Sequence, residues 1–251
     1  MEFVILTGAS RGLGAAIAEC LLSPSRRLLC IARTPNEPLV AQARATGAPL
    51  DYRLCDLGDA AATAALAQSL GEALRAATGV SRFVLVNNAG VVEPICRVES
   101  LQAAPLARAL QVNLAAAMLL TSAFLAASDA HGVERRILTV SSGAARHPVS
   151  GWSAYCSAKA ALDMFTRCIA AEHAGQANAP RVCALAPGVI DTDMQATIRA
   201  ADRADFPPIE RFRKLKAEGA LQSPQAVAAR IVAFLDRDDF GVREIDDIRD
   251  H

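Results

Sequence analysis

The segment SSGAARHPVSGWSAYCSAK, Ser141 to Lys159, holds side chains of the types that can deliver a proton to a carbonyl oxygen. Tyr155 and Lys159 lie four residues apart in a stretch of helical period, which puts them on one helix face about one turn apart. A phenol of ordinary pKa, about 10, is a poor acid or base near neutrality, and a neighbouring ammonium favours its phenolate and lowers that value. The pair is expected to act as a unit, with Lys159 tuning Tyr155 and Tyr155 serving as general acid. Ser141 and Ser142 end an apolar run that reads as a strand. At that edge of an open α/β sheet ligands bind, and a hydroxyl there can orient and polarise the same oxygen.

A second constellation, TGASRGLG from Thr7 to Gly14, follows the first strand-like run and opens the first helix-like one. That context gives a glycine-rich loop its meaning. Gly8 permits a tight turn, Gly12 lets backbone approach a pyrophosphate, and Gly14 lets helix pack closely on strand. The helix N-terminus supplies N–H groups and positive potential, and Ser10, Arg11 and Leu13 complete the loop. The second strand ends CIAR, so that Arg33 occupies the place where an acid would bind a ribose 2′-hydroxyl. Arg11 offers a second guanidinium. Two arginines without a competing carboxylate suit a 2′-phosphate and point to NADP(H).

The spacing TGxxxGxG, together with NNAG at 87–90, Tyr155-x-x-x-Lys159 and PGVIDTDM at 187–194, resembles the short-chain dehydrogenase/reductase family over nearly the whole chain. The resemblance implies a single-domain, Rossmann-type, doubly wound parallel α/β sheet flanked by helices. It selects Ser142 over Ser141, since the family's serine-to-tyrosine spacing is closer to 13 than to 14 residues. It implies that Asn113, in LQVNLAAAM, holds a water linking Lys159 to solvent, and that Lys159 also anchors a ribose. Asn88, Ala89 and Gly90 would line the cofactor cleft, Asp56 and Leu57 would contact adenine, and Pro187, Gly188, Val189 and Thr192 would embrace the nicotinamide carboxamide. Met194 and the stretch after it would face substrate, so 195–222 reads as a lid or as a polar loop-helix excursion. The segment GWSAYCSAKAALDMF, 151–165, further resembles sepiapterin reductases and bacterial benzil reductase-type enzymes, which reduce activated carbonyls, often vicinal dicarbonyls, with NADPH. On that likeness Trp152 is an aromatic wall of the substrate pocket. Asp246 is the closest match to a pterin-anchoring aspartate, against the alternative of a solvated acidic tail.

These residues need a scaffold, and the hydrophobic pattern supplies one. Short apolar runs at 3–7, 27–32, 50–55, 83–86, 135–141 and 181–186 alternate with Ala-rich helical stretches at 13–22, 59–78, 100–129, 153–174 and 224–235, the pattern of repeated βαβ units. Ser223 and Pro224 mark the start of the last helix. One domain is expected over 1–251, with a cofactor half up to about residue 90 and a catalytic half after it.

The composition is 52% hydrophobic and 4% aromatic, and 26 basic residues balance 26 acidic ones. No basic field is present to recruit nucleic acid or anionic lipid, so neither is an expected partner. The seven cysteines form no CxxC pair and are expected to be mostly buried, reduced thiols. Because a strand-like run starts at residue 3, no signal peptide is expected. Nor is any apolar stretch expected to reach the about 18 charge-free residues of a membrane span, and a cytoplasmic address follows. The reading is a reductase of small carbonyl compounds, a homodimer through the helices at 100–129 and 153–174, with no metal. The alternatives are a non-catalytic NADPH-binding sensor or scaffold, an alcohol dehydrogenase working in the oxidising direction, and a reductase of carrier-bound substrates.

Overall fold

In the computed structural model, which describes residues 1–251, seven strands form one parallel sheet. They are β1 (Glu2–Thr7), β2 (Arg26–Ala32), β3 (Leu50–Leu54), β4 (Arg82–Asn87), β5 (Glu134–Val140), β6 (Arg181–Ala186) and β7 (Ile245–Asp247), in the order β3-β2-β1-β4-β5-β6-β7. The helices are α1 (Gly12–Leu21), α2 (Glu37–Thr46), α3 (Ala60–Arg75), α4 (Ala103–Leu110), α5 (Ala116–Ser128), α6 (Ser153–Glu172), α7 (Asp193–Ala200), α8 (Ile209–Ala217) and α9 (Pro224–Leu235). Strand residues alternate between the two faces, as a pleat demands. Val4, Leu6, Leu28, Cys30, Val84 and Val86 pack with α1 and α9. Phe3, Ile5, Leu29, Ile31, Phe83 and Leu85 pack with α3 and α5. Both faces are covered, which is why the strands read as continuous apolar runs.

The order reverses between β1 and β4, and the carboxyl ends of these two strands are stitched together. The Thr7 hydroxyl accepts the N–H groups of Asn88 and Ala89, each at 3.0 Å. The Asn88 amide donates to the Thr7 carbonyl at 3.0 Å. A crevice must open here, because successive helices leave the switch point toward opposite faces.

Six strands and five helical stretches match the sequence pattern, and Ser223 caps α9 by accepting from Ala226 N–H at 3.2 Å. The stretch read as one helix at 100–129 is α4 and α5 joined by a π-helical turn, Gln111–Ala115. α2 and β7 have no counterpart in the sequence pattern, and α7 and α8 fall in or at the border of the stretch read as a lid or a loop-helix excursion. The stretch 195–222 is largely helical and is anchored by a third core of Trp152, Tyr155, Ile198, Phe206, Ile209 and Phe212. Gly151 lets it dock, since a Cβ there would stand 2.4 Å from the Asp205 carbonyl oxygen.

Two expectations are corrected. The helical run Ala103–His131 is long and apolar enough to cross a membrane by length and composition alone, and no charge interrupts it between Arg108 and Asp129. One side of it packs on α3 and the sheet through Leu120, Phe124 and Ala127. Of the seven free cysteines only Cys30 and Cys183 are buried, while Cys20 and Cys168 are exposed on α1 and α6.

Candidate active site

The crevice at the switch point is a cleft of about 570 Å³, within the range of ligand sites. It is lined by Gly8, Ser10, Arg11, Gly12, Leu13 and Gly14 of the first loop, Arg33 beyond β2, Asp56 and Leu57 beyond β3, and Asn88, Ala89 and Gly90 beyond β4. Ser142, Trp152, Tyr155 and Lys159 come from β5 and α6, and Pro187, Gly188, Val189, Thr192 and Met194 follow β6. Asn113 and Asp246 are not among the lining residues.

The glycine loop is a cradle that side chains would fill. Gly8 and Gly12 have φ of +74° and +56°, and a Cβ on Gly14 would lie 2.0 Å from the Gly8 carbonyl oxygen. Arg33 is exposed and makes no hydrogen bond or ion pair with the protein. Arg11 departs from the expectation of a second free guanidinium, since its Nη1 stands 3.1 Å from Asp193 at the start of α7, an exposed and hence weak pair. Asp56 accepts Gly58 N–H at 2.9 Å and pairs with both carboxylate oxygens to Arg108, which together hold its carboxyl below the usual range.

Tyr155, Lys159 and Asp163 recur every four residues along α6, and all three are buried. Lys159 Nζ donates to the Val140 carbonyl at 2.8 Å. Burial pulls its pKa down to about 8, opposed by the charge of Asp163. Asp163 accepts the Ser141 hydroxyl and faces Arg146 Nε at 3.7 Å. Burial raises its carboxyl, while Ser141 and Arg146 work the other way. Ser141 is thereby spent behind the cleft, and Ser142 is the serine whose hydroxyl reaches Tyr155. Asp163 went unnoticed in the sequence, although an acid four residues after Lys159 on the same face was the available signal.

The expected depression of the Tyr155 pKa is not found. Burial raises it, and the contact with Ser142 only partly opposes that shift. The phenol is enclosed edge-on by Trp152, with ring centroids 5.4 Å apart, and the Lys159 ammonium is engaged by Val140.

Asn113 lies behind the loop that carries Gly90. Its side chain does not face the cleft: Oδ1 accepts Val91 N–H and Nδ2 donates to the Val91 carbonyl, both at 2.8 Å. This two-point clamp fixes Gly90, whose missing side chain leaves room for Asn113 Oδ1 and Lys159 Nζ, 3.1 and 3.6 Å from where a Cβ would be. Asp246 is neither a cleft residue nor part of a solvated tail. It is 4% exposed and spent on Arg243 at 2.6 Å, His251 at 3.0 Å and its neighbour's N–H. Asp247, the next residue, lines the cleft with Arg249, held by a two-point ion pair.

Comparison with known proteins agrees with this geometry. The family model described as short chain dehydrogenase matches residues 2–203. The chain is 37% identical over 245 residues to a benzil reductase ((S)-benzoin forming) of Bacillus cereus, covering 98% of each protein. It is 34% identical to the sepiapterin reductase of Meriones unguiculatus, covering 94% of this chain and 92% of that one. Among solved structures it superposes on a variant of actinorhodin polyketide ketoreductase with NADPH, at a TM-score of 0.78 and 26% identity, over 98% of this chain and 94% of the other.

The Asn113 clamp carries a measurable load. Asn113→Leu keeps volume but leaves a part-buried N–H and carbonyl at Val91 without their partner, so stability is expected to fall by about 1–3 kcal/mol, with faster hydrogen exchange at the Val91 amide. A urea midpoint equal to that of the wild type would show that the clamp contributes nothing.

Proposed function

This chain belongs to the short-chain dehydrogenase family, and we propose that within it the protein is an NADPH-dependent reductase of small ketones and vicinal dicarbonyls with Tyr155 as proton donor. Family membership makes it an oxidoreductase that interconverts C=O and CH–OH groups with a nicotinamide cofactor. The observation that carries the finer reading is a buried phenol, kept protonated by its surroundings, beside the Ser142 hydroxyl in the same cleft as the unpaired Arg33.

The residues present fit the dinucleotide. The loop from Gly8 to Gly14 accepts a pyrophosphate where side chains would clash, and the Thr192 hydroxyl makes no bond within the protein. Arg33 favours the 2′-phosphate by charge, while Arg11 joins it only by leaving Asp193. When bound, the reduced nicotinamide supplies the hydride. Tyr155 then gives its proton to the substrate oxygen, and Ser142 donates a hydrogen bond to that oxygen and holds it in line. Lys159, anchored by Val140 and faced by Asp163, favours the phenolate that results. With its side chain bonded to Val91, Asn113 positions Gly90 and Val91 beside Lys159.

The substrate end of the cleft is apolar, lined by Val92, Trp152, Met194, Ile198 and Phe212, which suits an aryl or alkyl carbonyl compound, and α7 and α8 serve as its cover. The relatives named for benzil and sepiapterin support an activated carbonyl. The proposal includes a homodimer through α5 and α6, whose outer faces expose Met118, Leu119 and Met164.

The first test is NADPH oxidation with benzil, sepiapterin and a simple monoketone. Tyr155→Phe is expected to lower turnover of any accepted substrate by about 10²–10⁴-fold with cofactor binding retained, and full activity of that variant would refute the assignment. The pH dependence has a defined sign. Tyr155 stays protonated through neutrality and Lys159 loses its charge near pH 8, so reduction should decline above about pH 8. A profile level up to the ordinary lysine value, about 10.4, would reject this role for Lys159. Arg33→Ala should cost about 10–100-fold in kcat/KM with NADPH and little with NADH. Equal losses with both cofactors would argue against 2′-phosphate recognition.

A further inference from the structure

We propose that Gln195 is a specificity-determining residue whose amide binds the second oxygen of a vicinal dicarbonyl substrate. The inference rests on the carbonyl-reductase reading above and deepens it. Gln195 and Ile198 form the inward face of α7, three residues apart on one side of the helix. Gln195 is 7% exposed, lines the cleft, and makes no side-chain hydrogen bond with the protein. Its Oε1 is sealed from solvent without a partner, and Nε2 makes no hydrogen bond within the protein either. An enclosed amide with neither atom bonded is costly, and an acceptor oxygen of a ligand meeting Nε2 at this wall would offset part of that cost.

The other polar groups at this end are unsuited to the task. The Thr197 hydroxyl is turned back onto the Asp193 carbonyl at 3.2 Å. Arg211 and His147 are exposed at the mouth of the cleft. Ser142 and Tyr155 are assigned to the reacting oxygen. Trp152 Nε1 is a further unpartnered donor of this wall, but it is sealed from solvent. An apolar pocket in which the Gln195 amide is the neutral donor a ligand can reach fits an uncharged compound bearing a second acceptor next to the reacting carbonyl, and it favours that compound over an analogue with a methylene there. A site built around such a donor discriminates by the bond that the analogue cannot make.

The experiment compares kcat/KM for benzil and for deoxybenzoin, in which a methylene replaces one carbonyl, in wild type, Gln195→Leu and Gln195→Met, together with NADPH affinity. Leucine and methionine both suit the buried site, methionine keeps the unbranched shape of glutamine, and neither can donate. Both variants are expected to lose about tenfold on benzil and little on deoxybenzoin, with NADPH affinity unchanged. Parallel losses on the two ketones would overturn the proposal in favour of a structural role for α7, and weakened NADPH binding with an unchanged ratio would reassign the amide to the cofactor. If the wild type reduced neither ketone nor any other dicarbonyl, the carbonyl-reductase reading would fall and this inference with it. Wild-type turnover with an unaltered ratio in both variants would remove Gln195 alone.

Discussion

A lysine ammonium taken out of water costs on the order of several kcal/mol unless its protons are bonded and its charge is faced by an opposite one. At Lys159 the Val140 carbonyl at the end of β5 takes one proton, and Asp163, one turn on along α6, supplies the opposing charge. Those two contacts constrain the rest of the site. Asp163 must itself be satisfied, and it is, by Ser141 and Arg146. Bonding Ser141 leaves Ser142 as the residue whose hydroxyl is available in the cleft. Arg146 in turn donates to the Asp246 carbonyl at 2.7 Å, which ties the carboxyl-terminal strand to the same node. The order of the reactive groups thus follows from satisfying one buried charge.

That node lies where the sheet makes a ligand cleft unavoidable. Parallel strands buried on both faces have reactive edges only at their ends, and the reversal of strand order between β1 and β4 opens a crevice between the helices of the two faces. The bonds between Thr7 and Asn88 hold the two sides of the crevice at fixed separation, while Gly14 lets α1 start directly against the strand end. Phosphate cradle and proton donor sit on different βα units, and the sheet alone sets the distance between them.

How far the sequence disclosed this differs by element, for physical reasons. Strands β1, β2, β4, β5 and β6 are largely buried and so wrote themselves as apolar runs, while the edge strand β3 is only partly covered. Gly8 and Gly14 of the first loop are positions where a side chain would collide. β7 is three residues long and carries two acids, so neither length nor polarity marked it. In such a strand successive residues face opposite ways, and a shift of one position exchanges inside for cleft. This is the difference between Asp246, sealed against Arg243 and His251, and Asp247, which lines the cleft. The Tyr155 shift was misjudged because spacing along a helix reports proximity to Lys159 but not enclosure, and enclosure dominates. The helical run through α5 carries two polar side chains, Asn113 and Thr121, in an otherwise apolar, charge-free stretch. Both are buried and spend their polar atoms inside, on Val91 and Asn87.

The excursion after β6 shows how a segment without a clean period can still be held firmly. α8 is rich in charge, yet Ile209 and Phe212 on one side of it join Phe206 against Trp152, which stacks on Phe206 at 5.0 Å and meets Phe212 at 5.3 Å. Trp152 also meets Tyr155 edge-on, so one indole links the helical cover to the phenol. The close approach at Gly151 fixes that link, since a side chain there would drive the Asp205 backbone away and open the third core. The aromatic cluster that excludes water from Tyr155, and so keeps its proton in place, is therefore the same one that anchors α7 and the amide of Gln195 beside the cleft. Proton donor and substrate wall depend on one packing unit, and a rearrangement of either reaches the other through Trp152.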